Sequence, residues 1–148
     1  MRRGDASPAE LLEAAIARVE RLDPVLNAVV IRLFDEARAA ARAPGPPDGP
    51  LRGVPFLLKD LGATQAGLPY TAGNGALRAA GYRSPTDTTL GARIRSAGLV
   101  VLGRTNTPEF GLQSVTQPRA YGATRNPWSP DHTPGSTGCA SPRRPAAG

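Results

Sequence analysis

Two short apolar runs constrain this chain more than any other feature. Residues 54–58 (V-P-F-L-L) and 99–102 (L-V-V-L) are too short for helices and fit strands. Between them, Thr86-Asp87 can cap a helix with Leu90, Ile94 and Ala97 along one face. Gly98 suits the position just past its end. Strand, helix, strand in that order predicts a crossover unit with parallel pairing, and so an α/β fold.

The segment before this unit reads as helical. Ser7-Pro8-Ala9-Glu10 is a capping box with proline at the first helical position. Leu11, Leu12, Ala15, Ile16, Val19 and Leu22 then recur at helical spacing, so an amphipathic helix of roughly four turns is expected, stopping near Asp23-Pro24. A second helical pattern covers residues 29–43, although Val29-Val30-Ile31 can also be extended. Residues 43–50 (A-P-G-P-P-D-G-P) read as a linker, because four prolines there exclude a helix or a central strand. The organisation expected is a helical region over 1–43, a linker over 44–50, an α/β core over 51–138 and a disordered tail over 139–148.

Lys59, at the end of the first apolar run, is the only lysine; the other 17 of the 18 basic residues are arginines. Arginine stays charged in any protein environment, whereas a desolvated lysine can lose its proton and act as a base. The end of a strand in an open α/β sheet is also where functional groups are placed. Asp60, beside it, can orient the lysine or cap the following turn, and the structural role is favoured. The net charge of +6 invites a nucleic-acid reading, but the arginines are scattered singly and read as solvated surface groups. One cysteine, Cys139, excludes an internal disulfide framework and fits a reducing compartment. No apolar run approaches membrane-spanning length, so a cytoplasmic location is expected.

The remaining motifs are loop-like. Thr71-Ala72-Gly73-Asn74-Gly75 is a tight turn that can aim backbone N–H groups into a pocket. Trp128, the only tryptophan, is expected as a buried loop anchor. His132, the only histidine, reads as a solvated loop residue with Asp131 its one carboxylate neighbour in sequence. Residues 133–141 (T-P-G-S-T-G-C-A-S) present hydroxyls on a chain with few steric limits.

These motifs, in order, resemble the amidase signature family: L-R-G-V-P-F-L-L-K-D, T-A-G-N, L-V-V-L-G-R-T-N-T-P-E-F-G, Y-G-A-T-R-N-P-W-S-P-D-H-T-P-G and S-T-G. The likeness runs to about Gly138. It implies N-terminal helices followed by part of a mixed sheet flanked by helices, a fragment of an α/β/α fold. It also implies a hydrolase of carboxamide C–N bonds using a Ser–cis-Ser–Lys triad. Lys59 falls on the family's lysine and Ser136 on its bridging serine. The lysine accepts a proton through that serine, a second serine attacks the amide carbonyl, and water hydrolyses the acyl-enzyme. The implied substrate is a small-molecule amide; no metal, organic cofactor, specific nucleic acid or membrane is implied.

The sequence departs from the family at its end. The family's Gly-Gly-Ser-Ser-Gly-Gly is reduced to Gly135-Ser136-Thr137-Gly138-Cys139, and the segment carrying the nucleophilic serine does not occur in the 148 residues. Cys139 stands where the family has glycine and reads as incidental; Ser141 is the other nearby nucleophile. The expectation is an N-terminal portion of an amidase, truncated inside its signature. The tail S-P-R-R-P-A-A-G matches GC-rich codons read out of frame. The alternative function is therefore an inactive fragment with at most a binding role.

Overall fold

The computed structural model describes residues 6–43 and 49–135. Ser136, Cys139, Ser141 and the tail lie outside the described residues, as does most of the Pro/Gly linker.

Helix α1 spans Pro8–Leu26 and starts where the sequence predicts. The Ser7 hydroxyl accepts from the Glu10 N–H, and the Glu10 carboxylate accepts from the Ser7 N–H at 2.8 Å. Its end differs from expectation, because the helix runs through Pro24 to Leu26. Proline so near a C-terminus forfeits one backbone bond, and the helix closes beyond it instead. Asn27 takes the left-handed conformation (φ 50°) and its N–H reaches the Asp23 carbonyl at 2.8 Å. The Asp23 carboxylate then accepts from the Ala28 and Val29 N–H groups, turning the chain into a strand.

That strand, β1 (Val29–Arg32), settles the alternative left open by the sequence: the start is extended and only Phe34–Arg42 forms helix α2. Strand β2 spans Pro55–Lys59, short helix α3 Gly75–Ala79, helix α4 Thr89–Ser96 and strand β3 Val100–Thr105. The sheet order is β1-β3-β2, with β3 antiparallel to β1 and parallel to β2. The predicted parallel crossover is therefore present within a mixed α/β fold. β3, not β2, is the buried strand; in β2 only Leu58 is buried, because β2 lies at the edge of the described sheet. Helices α1 and α2 cover one face, where Leu12, Ile16 and Ala37 meet Val100 and Leu102, with Val19, Phe34 and Leu57 around them. Burying each large aliphatic side chain there contributes about 1.5–3 kcal/mol.

Thr88, one residue later than predicted, caps α4 by accepting from the Gly91 N–H, and Gly98 (φ 83°) follows the helix end as expected. Leu90 is 54% exposed, whereas Ile94 and Ala97 are partly buried, so the predicted face packs toward its C-terminal end and not at Leu90. Contact is made at Gly91, where an added Cβ would lie 1.8 Å from the Thr64 carbonyl oxygen. Only a residue without a side chain lets this helix approach so closely. Gly91→Ala is expected to lower stability by about 3 kcal/mol, the upper range for overpacking; a urea midpoint equal to that of the unaltered chain would refute this. Among the described residues no helix is long and apolar enough to cross a membrane.

Candidate active site

β2 carries Lys59 to its C-terminal end, in register with Thr105 of β3. The next residue, Asp60, continues the pairing through its N–H to the Thr105 carbonyl at 3.0 Å. Lys59 is half-buried, and its ammonium makes no hydrogen bond or ion pair with a described residue. Asp60 is 0% exposed. Its carboxylate accepts from the Thr71 N–H at 3.0 Å, from the Thr71 hydroxyl and from the Gly73 N–H at 3.2 Å. Asp60 thus fastens the Thr71–Gly73 turn beneath the lysine, the structural role favoured from sequence. Burial pushes its carboxyl above the usual range, against the Thr71 and Gly73 hydrogen bonds and the nearby Arg104 charge.

The T-A-G-N turn does more than the sequence suggests. Ala72 (φ 51°) and Phe110 (φ 50°) are both left-handed without being glycine, and the Phe110 N–H donates to the Ala72 carbonyl at 2.8 Å. Strained backbone of this kind persists where surroundings fix it, commonly near functional sites. Gly73 lies so close that an added Cβ would meet the Thr107 carbonyl oxygen at 2.9 Å. Asn74 caps α3 and donates its Nδ2 to the Glu109 carboxylate at 2.6 Å. Tyr121 hydrogen-bonds Thr71 at 3.1 Å, and burial raises its phenol.

Arg104 corrects the reading of the arginines as surface groups. It is 0% exposed, because its position in the central strand turns it into the interior. Its Nη1 donates to the carbonyls of Ala63 at 2.9 Å and Lys59 at 3.2 Å, and its guanidinium lies 5.4 Å from the Tyr70 ring centre. Burial lowers its basicity, offset by the Asp60 charge and by Tyr70. No short-range sequence signal marks this residue, since burial here follows from strand pairing.

Residues beyond β3 bring the chain's last described part to the strand end. The Asn106 side chain donates to the Gly122 carbonyl and the Thr124 hydroxyl, and the Thr124 hydroxyl donates to the Asn27 carbonyl at 2.7 Å. The Thr124 N–H donates to the Thr116 carbonyl, and the Thr116 hydroxyl to the Gly135 carbonyl at 2.9 Å. Gly135, the residue before Ser136, is therefore tethered to the segment that packs against the end of β3. Trp128 is 82% exposed and is not the buried anchor expected. Pro127 and Pro130 flank it in a turn whose polar contacts are local: the Trp128 N–H donates to the Asn126 side chain. His132 is exposed as expected and its Nδ1 lies 2.7 Å from the Ser129 hydroxyl.

Comparison with known proteins follows the same path. The Amidase family model matches residues 10–141. A 6-aminohexanoate-cyclic-dimer hydrolase of Paenarthrobacter ureafaciens is 46% identical over 129 residues, covering 87% of this chain and 26% of that protein. A Glutamyl-tRNA(Gln) amidotransferase subunit of Salinispora arenicola is 43% identical over 142 residues, covering 92% of this chain and 28% of that protein. A solved 6-aminohexanoate cyclic dimer hydrolase complexed with substrate superimposes with a TM-score of 0.86 at 45% identity, over 94% of this chain and 28% of that one. The chain spans about a quarter of the length of the relatives it matches.

Proposed function

The chain belongs to the amidase family, and we propose that it supplies the proton-accepting half of a carboxamide hydrolase site. Lys59 is the base and Ser136 the hydroxyl that relays the proton to it. An amine accepts a proton only in its uncharged form; its lone pair then takes the Ser136 proton as Ser136 takes that of a serine nucleophile. The nucleophile attacks the amide carbonyl, the C–N bond breaks with return of a proton to the leaving nitrogen, and water cleaves the resulting ester. The observation that carries this reading is the placement of the sole lysine. It stands at the C-terminal end of a parallel strand, uncommitted to any described side chain, while Gly135 is pinned by Thr116. The relatives' names point to substrates with a carboxamide C–N bond.

A second reading is favoured by one observation, the quarter-length match. In it the 148 residues alone are catalytically silent and at most bind. One experiment serves both. Residues 1–138 replace the matching segment of the Paenarthrobacter hydrolase, and hydrolysis of 6-aminohexanoate cyclic dimer is followed. The chimera is expected to turn over and the isolated 148 residues are not. Turnover that survives Lys59→Ala in the chimera would remove the base from the reading.

A further inference from the structure

Lys59 and Thr105 are register partners across the parallel β2–β3 pair. Partners in such a pair present their side chains on the same face of the sheet. On its other side Thr105 faces Val29 of β1, which offers only methyl groups. Thr105 is 2% exposed, and its hydroxyl has no hydrogen-bond partner among the described residues. A buried hydroxyl left in that state is unfavourable, and nearly all such groups in folded proteins find a partner.

The Lys59 amine is the adjacent group with donors to spare. Asp60 and Arg104 each stand one residue away along their strands and so project to the opposite face. The Asp60 carboxylate accepts from Thr71 and Gly73, and Arg104 donates its Nη1 to the carbonyls of Lys59 and Ala63 while its Nε and Nη2 lack partners among the described residues. We propose that Thr105 is a positioning residue for Lys59, its hydroxyl accepting a hydrogen bond from the lysine amine and holding the side chain along β3. This rests on the reading of Lys59 as base. A neutral amine has two N–H donors and one lone pair. Giving one N–H to Thr105 leaves the lone pair free to accept a proton. Threonine suits the task because β-branching restricts χ1 and presets the hydroxyl.

Because Lys59 is the only lysine, protein grown with ¹³C-lysine gives one ε-methylene signal, assigned without ambiguity. In the full 148-residue chain that signal is expected to show an NOE to Thr105 and restricted motion. Thr105→Val should lower its order parameter about twofold, and Thr105→Ser should restore it. An absent NOE in the unaltered chain, or an unchanged order parameter in Thr105→Val, overturns the proposal. If Thr105→Val does not fold, the NOE and the Thr105→Ser spectrum decide. In the chimera, Thr105→Val should lower kcat about tenfold with KM unchanged, again rescued by serine. A free Lys59 in a Lys59-dependent chimera overturns the contact and leaves the base. A rigid, Thr105-bound Lys59 whose removal leaves the chimera active overturns the base and leaves the contact.

Discussion

Asp60→Ala is expected to destabilise the chain by about 3–5 kcal/mol, the range for removing one partner from a buried charged arrangement. The carboxylate serves two clients. It accepts three hydrogen bonds from Thr71 and Gly73, which hold a turn containing the left-handed Ala72, and it faces the buried Arg104 charge. Alanine leaves the Thr71 and Gly73 N–H groups in the interior with nothing to accept from them, and it removes the negative charge that offsets the buried Arg104 guanidinium. The ionised carboxylate is not itself comfortable there: burial raises its pKa from 3.8, and the hydrogen bonds only partly offset this. The sign of the pH dependence follows. With the folded pKa above the unfolded one, the folded state holds the proton more tightly. The stability this group contributes is fully present below the unfolded value and is lost as pH rises through the raised folded value. The difference in unfolding free energy between the unaltered chain and Asp60→Asn should therefore shift against the unaltered chain as pH rises across that window. A flat difference, measured by urea titration from pH 3 to 7, would show that burial does not dominate at Asp60.

Much of the chemistry is legible in the sequence because it is local. The capping box at Ser7 and Glu10 forms both of its hydrogen bonds, and Lys59 stands out by type alone. The parallel crossover follows from run lengths and a helix between them. What is not legible depends on partners distant in sequence. Val29-Val30-Ile31 is ambiguous in isolation and becomes a strand because β3 pairs with it. Arg104 looks like sixteen other arginines, and only its place on the central strand buries it. Trp128 misleads in the opposite sense: large apolar area argues for burial, but nothing in the described chain covers it. Within the site, the structural role of Asp60 is readable from its position, whereas the strained Ala72–Phe110 contact and the orphaned Thr105 hydroxyl need coordinates.

Lys59→Arg in the chimera is expected to abolish amide hydrolysis as completely as Lys59→Ala, with a fall in kcat on the order of 10⁴-fold. That is about 5 kcal/mol of barrier at 1.36 kcal/mol per tenfold. The charge-preserving substitution separates two roles that removal cannot. If Lys59 served as a fixed cation stabilising a developing oxyanion, arginine would retain much of the rate, since it is always protonated and carries more donors. If Lys59 accepts the proton, arginine has no lone pair to offer and is no better than alanine. KM should change little, because the group acts on the nucleophile rather than on ground-state substrate. Ser136→Ala should fall to a similar level, and combining it with Lys59→Ala should cost nothing further, since residues of one proton relay fail as a unit. Retention of more than about a tenth of kcat in Lys59→Arg would assign the lysine an electrostatic role. The proton would then have to go to another group, and among the described residues Asp60, buried next to Lys59 in sequence, is already committed to the Thr71–Gly73 turn.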